Sequence, residues 1–287
     1  MTTKTPITSL RARWLGERLR AERTKAGYTL KDVAEYLGVD FTSLGRFERG
    51  THRIRHSYVR DLINFYGISE PKSRNALLKL NEDSWRRDWW DGDTRDLEVG
   101  FIDYSWLEAS AHCIRHFETM LIPGLLQTRE YARTIMLAAR DFQADRDELE
   151  RLLELRSKRQ EILSGESPTP LSVVFEESVL RRIVGGRRVF GRQLAKLLAK
   201  AEESHISIRV RPETAEWQPG LGSPFTYFSM DDPYPDVAYV ENIAGRTFLE
   251  EQAKVELFNR AYHELCDSAL TPEQSLARIN QVREEIE

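Results

Sequence analysis

Residues 28–50 read YTLKDVAEYLGVDFTSLGRFERG, and this stretch decides how the first third of the chain folds. Thr29 is placed to cap a helix over Leu30–Leu37, and Asp32, three residues on, supplies the reciprocal acceptor of a capping box. Val33, Ala34 and Leu37 give that helix one apolar face. Gly38 offers the positive φ of a tight turn and Val39 plugs the gap behind it. Asp40 then caps a further helix, Phe41 to Glu48, which Gly50 ends. Upstream, Ser9 caps a helix running to about Ala26, with Leu15, Leu19 and Ala26 at helical spacing and Gly27 as its stop. Downstream, a basic loop (51–55) leads to a helix over about 57–66, with Val59, Leu62, Ile63 and Tyr66 inward. Another runs from Glu70 or Pro71 to about Asn81.

Charge sharpens this division. The chain has 287 residues, 42 Lys and Arg, 46 Asp and Glu, and a net charge of −4. Residues 1–80 hold 16 basic against 8 acidic residues, leaving 26 against 38 for the rest. A basic head that meets phosphate and an acidic body that does not are therefore expected. No apolar run approaches the ~20 residues of a membrane span, and the N-terminus lacks the apolar core of a secretory signal. With only Cys113 and Cys266 there is no disulfide framework, and a cytoplasmic location is expected.

The run 28–50 resembles the Xre/Cro-type helix-turn-helix family, through Ala34, Leu37-Gly38-Val39, Leu44, Phe47 and Glu48-Arg49-Gly50. The resemblance implies that the helix 41–48 enters the major groove of a double-stranded DNA operator. Its outward positions are Phe41, Thr42, Ser43 and Arg46, the candidates for base readout. Arg46 suits guanine O6 and N7, Thr42 and Ser43 a base edge or a phosphate, and Phe41 a thymine methyl. The sequence departs from the family at Leu30 and Phe41, where glutamine is usual. Phosphate contacts then fall to backbone amides and to Lys31, Arg49, Arg53 and Arg55. The resemblance also implies that Arg23 and Glu48 form a structural ion pair rather than a readout element.

Beyond residue 82 the pattern changes. SWRRDWWDGDTRD (84–96) reads as a hinge, so the expected organisation is 1–82, a hinge over 83–103, and a domain over 104–287. Helices are expected over about 104–117, 127–141, 147–163, 189–203 and 250–269, with a last one after Thr271-Pro272. Short β-rich runs lie at 171–175, 205–210, 225–228 and 237–240. The expected fold class is mainly α: a five-helix helix-turn-helix domain, a helical segment, and an α+β domain with a small sheet. This second part resembles a domain of unknown function that follows such helix-turn-helices in many actinobacterial, antitoxin-like regulators. The stretches that carry the resemblance are WRRDWWD (85–91), IPGLLQTREYAR (122–133), VVFEESVLRRIVGG (173–186) and VAYVENIAG (237–245).

Several constellations invite chemistry and are discounted. His112, Cys113 and His116 lack the further ligands a metal site needs, so no metal is expected. Gly185-Gly186 followed by Arg187-Arg188 lacks the Gly-Lys-Ser/Thr ending of a phosphate loop and reads as a turn. Glu176 and Glu177, adjacent on a strand, point to opposite faces and make a poor acid/base pair. Trp85, Trp89, Trp90 and Trp106 suit interdomain packing better than a ligand pocket. No catalytic residues and no cofactor are expected, and the chain is not read as an enzyme. The expected function is a sequence-specific transcriptional regulator, a homodimer controlled by a small-molecule ligand or a small protein partner encoded nearby. The alternative is an antitoxin-like module in which partner sequestration comes first.

Overall fold

The computed structural model describes residues 9–86, 99–139, 146–217, 222–243 and 245–286. Two compact units emerge. The first takes residues up to Trp106 together with 232–234, the second Leu107–Asp231 and Pro235 onward. Trp89 and Trp90 lie outside the described residues. No described helix is long and apolar enough to cross a membrane.

The first unit is built from α1 (Leu10–Lys25), α2 (Leu30–Leu37), α3 (Phe41–Glu48), α4 (His56–Phe65) and α5 (Pro71–Trp85), followed by the start of α6 (Val99–Ser110). Each early boundary has a chemical cause. Ser9 caps α1 through the Ala12 N–H, and Thr29 and Asp32 complete their capping box on α2. Gly38 closes α2 at φ +64°, and Asp40 caps α3 through the Ser43 N–H. Leu15, Leu19, Val33, Leu44, Val59, Leu62, Ile63 and Leu77 form the buried core. α5 runs a turn further than the sequence pattern suggests, to Trp85. Trp106 is buried, its ring 5.8 Å from that of Trp14 within this unit.

Two glycines set how α1 meets α3. A Cβ on Gly16 would stand 2.5 Å from the Glu48 carbonyl oxygen, and one on Gly50 would stand 2.6 Å from the Ala12 backbone. Both contacts are to backbone, so any larger residue would force α1 and α3 apart.

The second unit is a six-stranded mixed sheet flanked by helices. The strands are β1 (Ala111–Glu118), β2 (Leu171–Glu176), β3 (Ile206–Arg211), β4 (Phe225–Met230), β5 (Val237–Asn242) and β6 (Gly245–Leu249). Their order is β3-β2-β1-β4-β5-β6, with β1, β2 and β3 parallel and the remainder antiparallel. The helices are α7 (Arg129–Ala139), α8 (Arg146–Gln160), α9 (Glu177–Arg181), α10 (Gly186–Lys200), α11 (Gln252–Ser268) and α12 (Pro272–Ile286). Parallel neighbours require crossovers, which α7–α8 supply between β1 and β2, and α9–α10 between β2 and β3. Phe117, Val174 and Phe225 of one sheet face pack on Tyr262 and Leu265 of α11. The outer edge of β3 is closed by the chain itself: Val210 N–H donates to Ser275 Oγ and its carbonyl accepts from Leu270 N–H, each at 2.9 Å.

One helix expectation is overturned. The span 104–117 divides into the end of α6 and the strand β1. Ile114 and Phe117 find partners on both sides, β2 at Leu171–Phe175 and β4 at Phe225–Phe228, and this pairing outweighs the local helical pattern. Strand β6 was also missed, because Gly245–Leu249 is mostly exposed and shows no apolar alternation.

The stretch 122–128, the first part of IPGLLQTREYAR (122–133), is a buried, mostly non-helical segment whose backbone must be satisfied by side chains. Gln127 Nε2 donates to the Ile122 carbonyl, Gln160 Nε2 to Gly124, Gln193 Nε2 to Leu126 and Lys196 Nζ to Gln127, all within 2.8 Å. Burial pushes the Lys196 ammonium down to about 8.

Candidate nucleic-acid interface

α3 presents two faces. Leu44, Gly45 and Glu48 are buried against the rest of the first unit, while Phe41, Thr42 and Arg46 are exposed and Ser43 is half-buried. Phe41 stands 65% exposed, which is a large apolar ring left in water at the start of the helix. Ser43 is engaged: its hydroxyl donates to Asp40 Oδ2 at 2.5 Å and its N–H to Oδ1 at 2.8 Å. That hydroxyl, with the N–H, holds the Asp40 carboxyl below the usual range. A base edge reaching Ser43 would meet an oxygen whose proton is already committed.

Five cations lie on this helix or on the segments that precede and follow it in the chain. Lys31 at the start of α2, Arg46 and Arg49 on and after α3, and Arg53 and Arg55 in the following loop are all exposed, and none makes an ion pair among the described residues. Leu30, standing where the resembled family has glutamine, is half-buried. The loop is tied back to α3, since Thr51 N–H at 3.0 Å and Thr51 Oγ at 3.2 Å both donate to the Arg46 carbonyl.

Arg23 and Glu48 are brought together across α1 and α3. The guanidinium donates from Nε and Nη2 to the two carboxylate oxygens at 2.6 and 3.0 Å, and from Nη1 to the Tyr28 carbonyl at 2.8 Å. Their side chains are 12% and 6% exposed. The hydrogen bond to Glu48 raises the Arg23 pKa further. A bidentate pair of this kind locks α3 against α1.

The discounted residues are scattered. His112 is exposed, 3.5 Å from Asp231, while Cys113 and His116 point to opposite faces of β1. His116 is buried with its Nδ1 3.0 Å from Thr226 Oγ, and burial pushes it down to about 3, so it is neutral. Among the described residues no group of three His, Cys, Asp or Glu could hold a metal ion. Gly185 and Gly186 take positive φ at the N-terminus of α10. Glu176 pairs with Arg211 at 3.1 Å, and Glu177 with Arg181 at 3.1 Å.

Sequence reasoning missed the contribution of α5. Asn81 Nδ2 and Trp85 Nε1 both donate to the Ile54 carbonyl, at 3.1 and 2.8 Å. Their spacing of four residues was a signal that both lie on one side of a helix. The sequence pattern ends this helix near Asn81, whereas α5 continues to Trp85.

Comparison with known proteins agrees with this division. A helix-turn-helix domain family matches residues 14–77. The family described as domain of unknown function DUF5753 matches residues 101–281. A curated relative from Pyrobaculum aerophilum is 29% identical over 126 residues, 43% of this chain. Its own description, an HTH-type transcriptional regulatory protein, is an inferred one, and the match covers 46% of its length. No solved structure matches the chain. A helix-turn-helix unit with exposed cations, joined to a mixed sheet covered by 101–281, places the chain in the DUF5753 family.

Proposed function

We propose that this chain is a sequence-specific DNA-binding transcriptional regulator. The observation that carries the reading is the set of five exposed cations, without ion pairs among the described residues, on and next in the chain to a helix whose exposed residues include Phe41, Thr42 and Arg46. A helix fits the major groove, and unpaired cations on its flanks release counterions from the DNA backbone. The match of residues 14–77 to a helix-turn-helix domain supports the same reading, as does the description of the Pyrobaculum relative.

In this reading Arg46 reads a guanine, Thr42 and Phe41 contact neighbouring base edges, and Lys31, Arg49, Arg53 and Arg55 bind phosphate. The protein acts in the cytoplasm as a homodimer, which sets two recognition helices one DNA turn apart. The second unit controls binding through a small ligand or a small protein partner, and not through catalysis.

The test is selection of bound fragments from genomic DNA, with Arg46→Ala as the control. Enrichment of one motif by the native protein, lost in the variant, is the expected result. Equal retention of specific and random duplex by the native protein would overturn the reading.

A further inference from the structure

The last residue of α5 belongs to the cationic surface. Between Thr51 and Arg55 the chain reads Thr-His-Arg-Ile-Arg, and of these only Ile54 is buried. Its carbonyl accepts from both Asn81 and Trp85, so α5 grips the loop at one point. The indole that makes this bond also carries the Arg53 guanidinium, 5.4 Å from its ring centroid, and the His56 ring lies 6.2 Å away. Arg53 makes no hydrogen bond or ion pair among the described residues. Trp85 itself remains 39% exposed, a poor arrangement if packing were its only task. The other end of the loop is tied to the Arg46 carbonyl. The loop is thus strung between the proposed base-reading helix and Trp85.

We infer that Trp85 is a positioning residue for phosphate binding. Its N–H fixes the loop through Ile54, and its ring face shelves Arg53 so that the guanidinium is presented to the duplex backbone already ordered. A long side chain that is pre-organised loses less rotamer freedom on binding. Stacking on an aromatic face also leaves the N–H edges of a guanidinium open for phosphate oxygens. This inference rests on the DNA-binding reading above. Its ligand is the sugar–phosphate backbone of double-stranded DNA, so its effect is independent of base sequence.

The test uses the full chain, titrated with the selected operator and with a random duplex over a range of KCl concentrations. The proteins compared are native, Trp85→Leu, Trp85→Phe, Arg53→Ala and the double variant Trp85→Leu/Arg53→Ala. Trp85→Leu is expected to weaken binding about fivefold on both duplexes, with the salt slope reduced by about one phosphate contact. In the Arg53→Ala background the same change is expected to cost no more than the roughly twofold that the lost N–H accounts for. Trp85→Phe keeps the shelf and loses only the N–H, so its salt slope should match native and its affinity fall about twofold.

An equal penalty with and without Arg53, or a loss confined to the operator at unchanged slope, overturns the inference and leaves DNA binding standing. If native protein binds neither duplex, both fall together, and the first titration shows it. Should Trp85→Leu fail to fold, as read by circular dichroism, Trp85→Phe decides. A slope reduced as far as that of Arg53→Ala overturns the inference.

Discussion

The surface around α3 and the sheet unit use their arginines differently. Around α3, Arg46, Arg49, Arg53 and Arg55 stand in water with no carboxylate beside them. In the sheet unit several arginines are instead paired with carboxylates: Arg159 with Glu108, Arg211 with Glu176, Arg192 with Glu130, and both Arg129 and Arg133 with Glu150. An unpaired guanidinium on the surface attracts phosphate, whereas a paired one is already neutralised at short range. Overall charge would have hidden this, because the chain as a whole is acidic. The first unit keeps pairs of its own, Arg18–Glu22, Lys79–Asp83 and Arg23–Glu48 among them, and the last encloses both side chains, 12% and 6% exposed.

The sharpest way to test the contrast is to remove one member of each enclosed pair. Glu48→Ala in the first unit and Arg159→Ala in the second, whose partner Glu108 is 1% exposed, should each cost about 3–5 kcal/mol in urea unfolding. A loss below about 1 kcal/mol in either would show that the pair is not structural.

Removing an unpaired cation should instead leave unfolding unchanged. Arg46→Ala is expected to lose about 1–3 kcal/mol of preference for the operator over random duplex, at native stability. A variant with unchanged preference would remove Arg46 from base readout.

A smaller effect separates paired from unpaired charge within the sheet unit. Glu118 is 23% exposed, and burial, with Glu241 nearby, pushes its carboxyl up from 4.5 to about 8. Between those values the folded state holds a proton that the unfolded chain has lost, so stability falls as pH rises through this window. Glu118→Gln should therefore match native near pH 4.5 and exceed it by roughly 1–2 kcal/mol at pH 8, discounted for the residual exposure. Parallel stability curves for the two proteins would exclude a raised Glu118. The smallest change is expected at the exposed Arg192–Glu130 pair, where Arg192→Ala should shift stability by less than about 1 kcal/mol.

Legibility also differed between the units. Thr29, Asp32, Gly38 and Asp40 act within four residues of themselves, so the caps and turn of the helix-turn-helix could be read from their order. Arg23 and Glu48 were reached through the family resemblance, since nothing local in either residue announces a partner 25 positions away. In the second unit, four strands showed their β-branched and aromatic residues, but β1 did not. Its strand character comes from β2 and β4, which are distant in sequence.

What the sequence determined alone was therefore local: helix ends, the tight turn at Gly38, the excess of cations before residue 80, and most strands. The tertiary structure decided the rest. It converted residues 111–118 from helix to strand, brought Gly16 against the Glu48 carbonyl, and set Trp85 under Arg53. Each of those outcomes depends on a backbone or ring supplied from elsewhere in the chain, and no window of neighbouring residues contains that information.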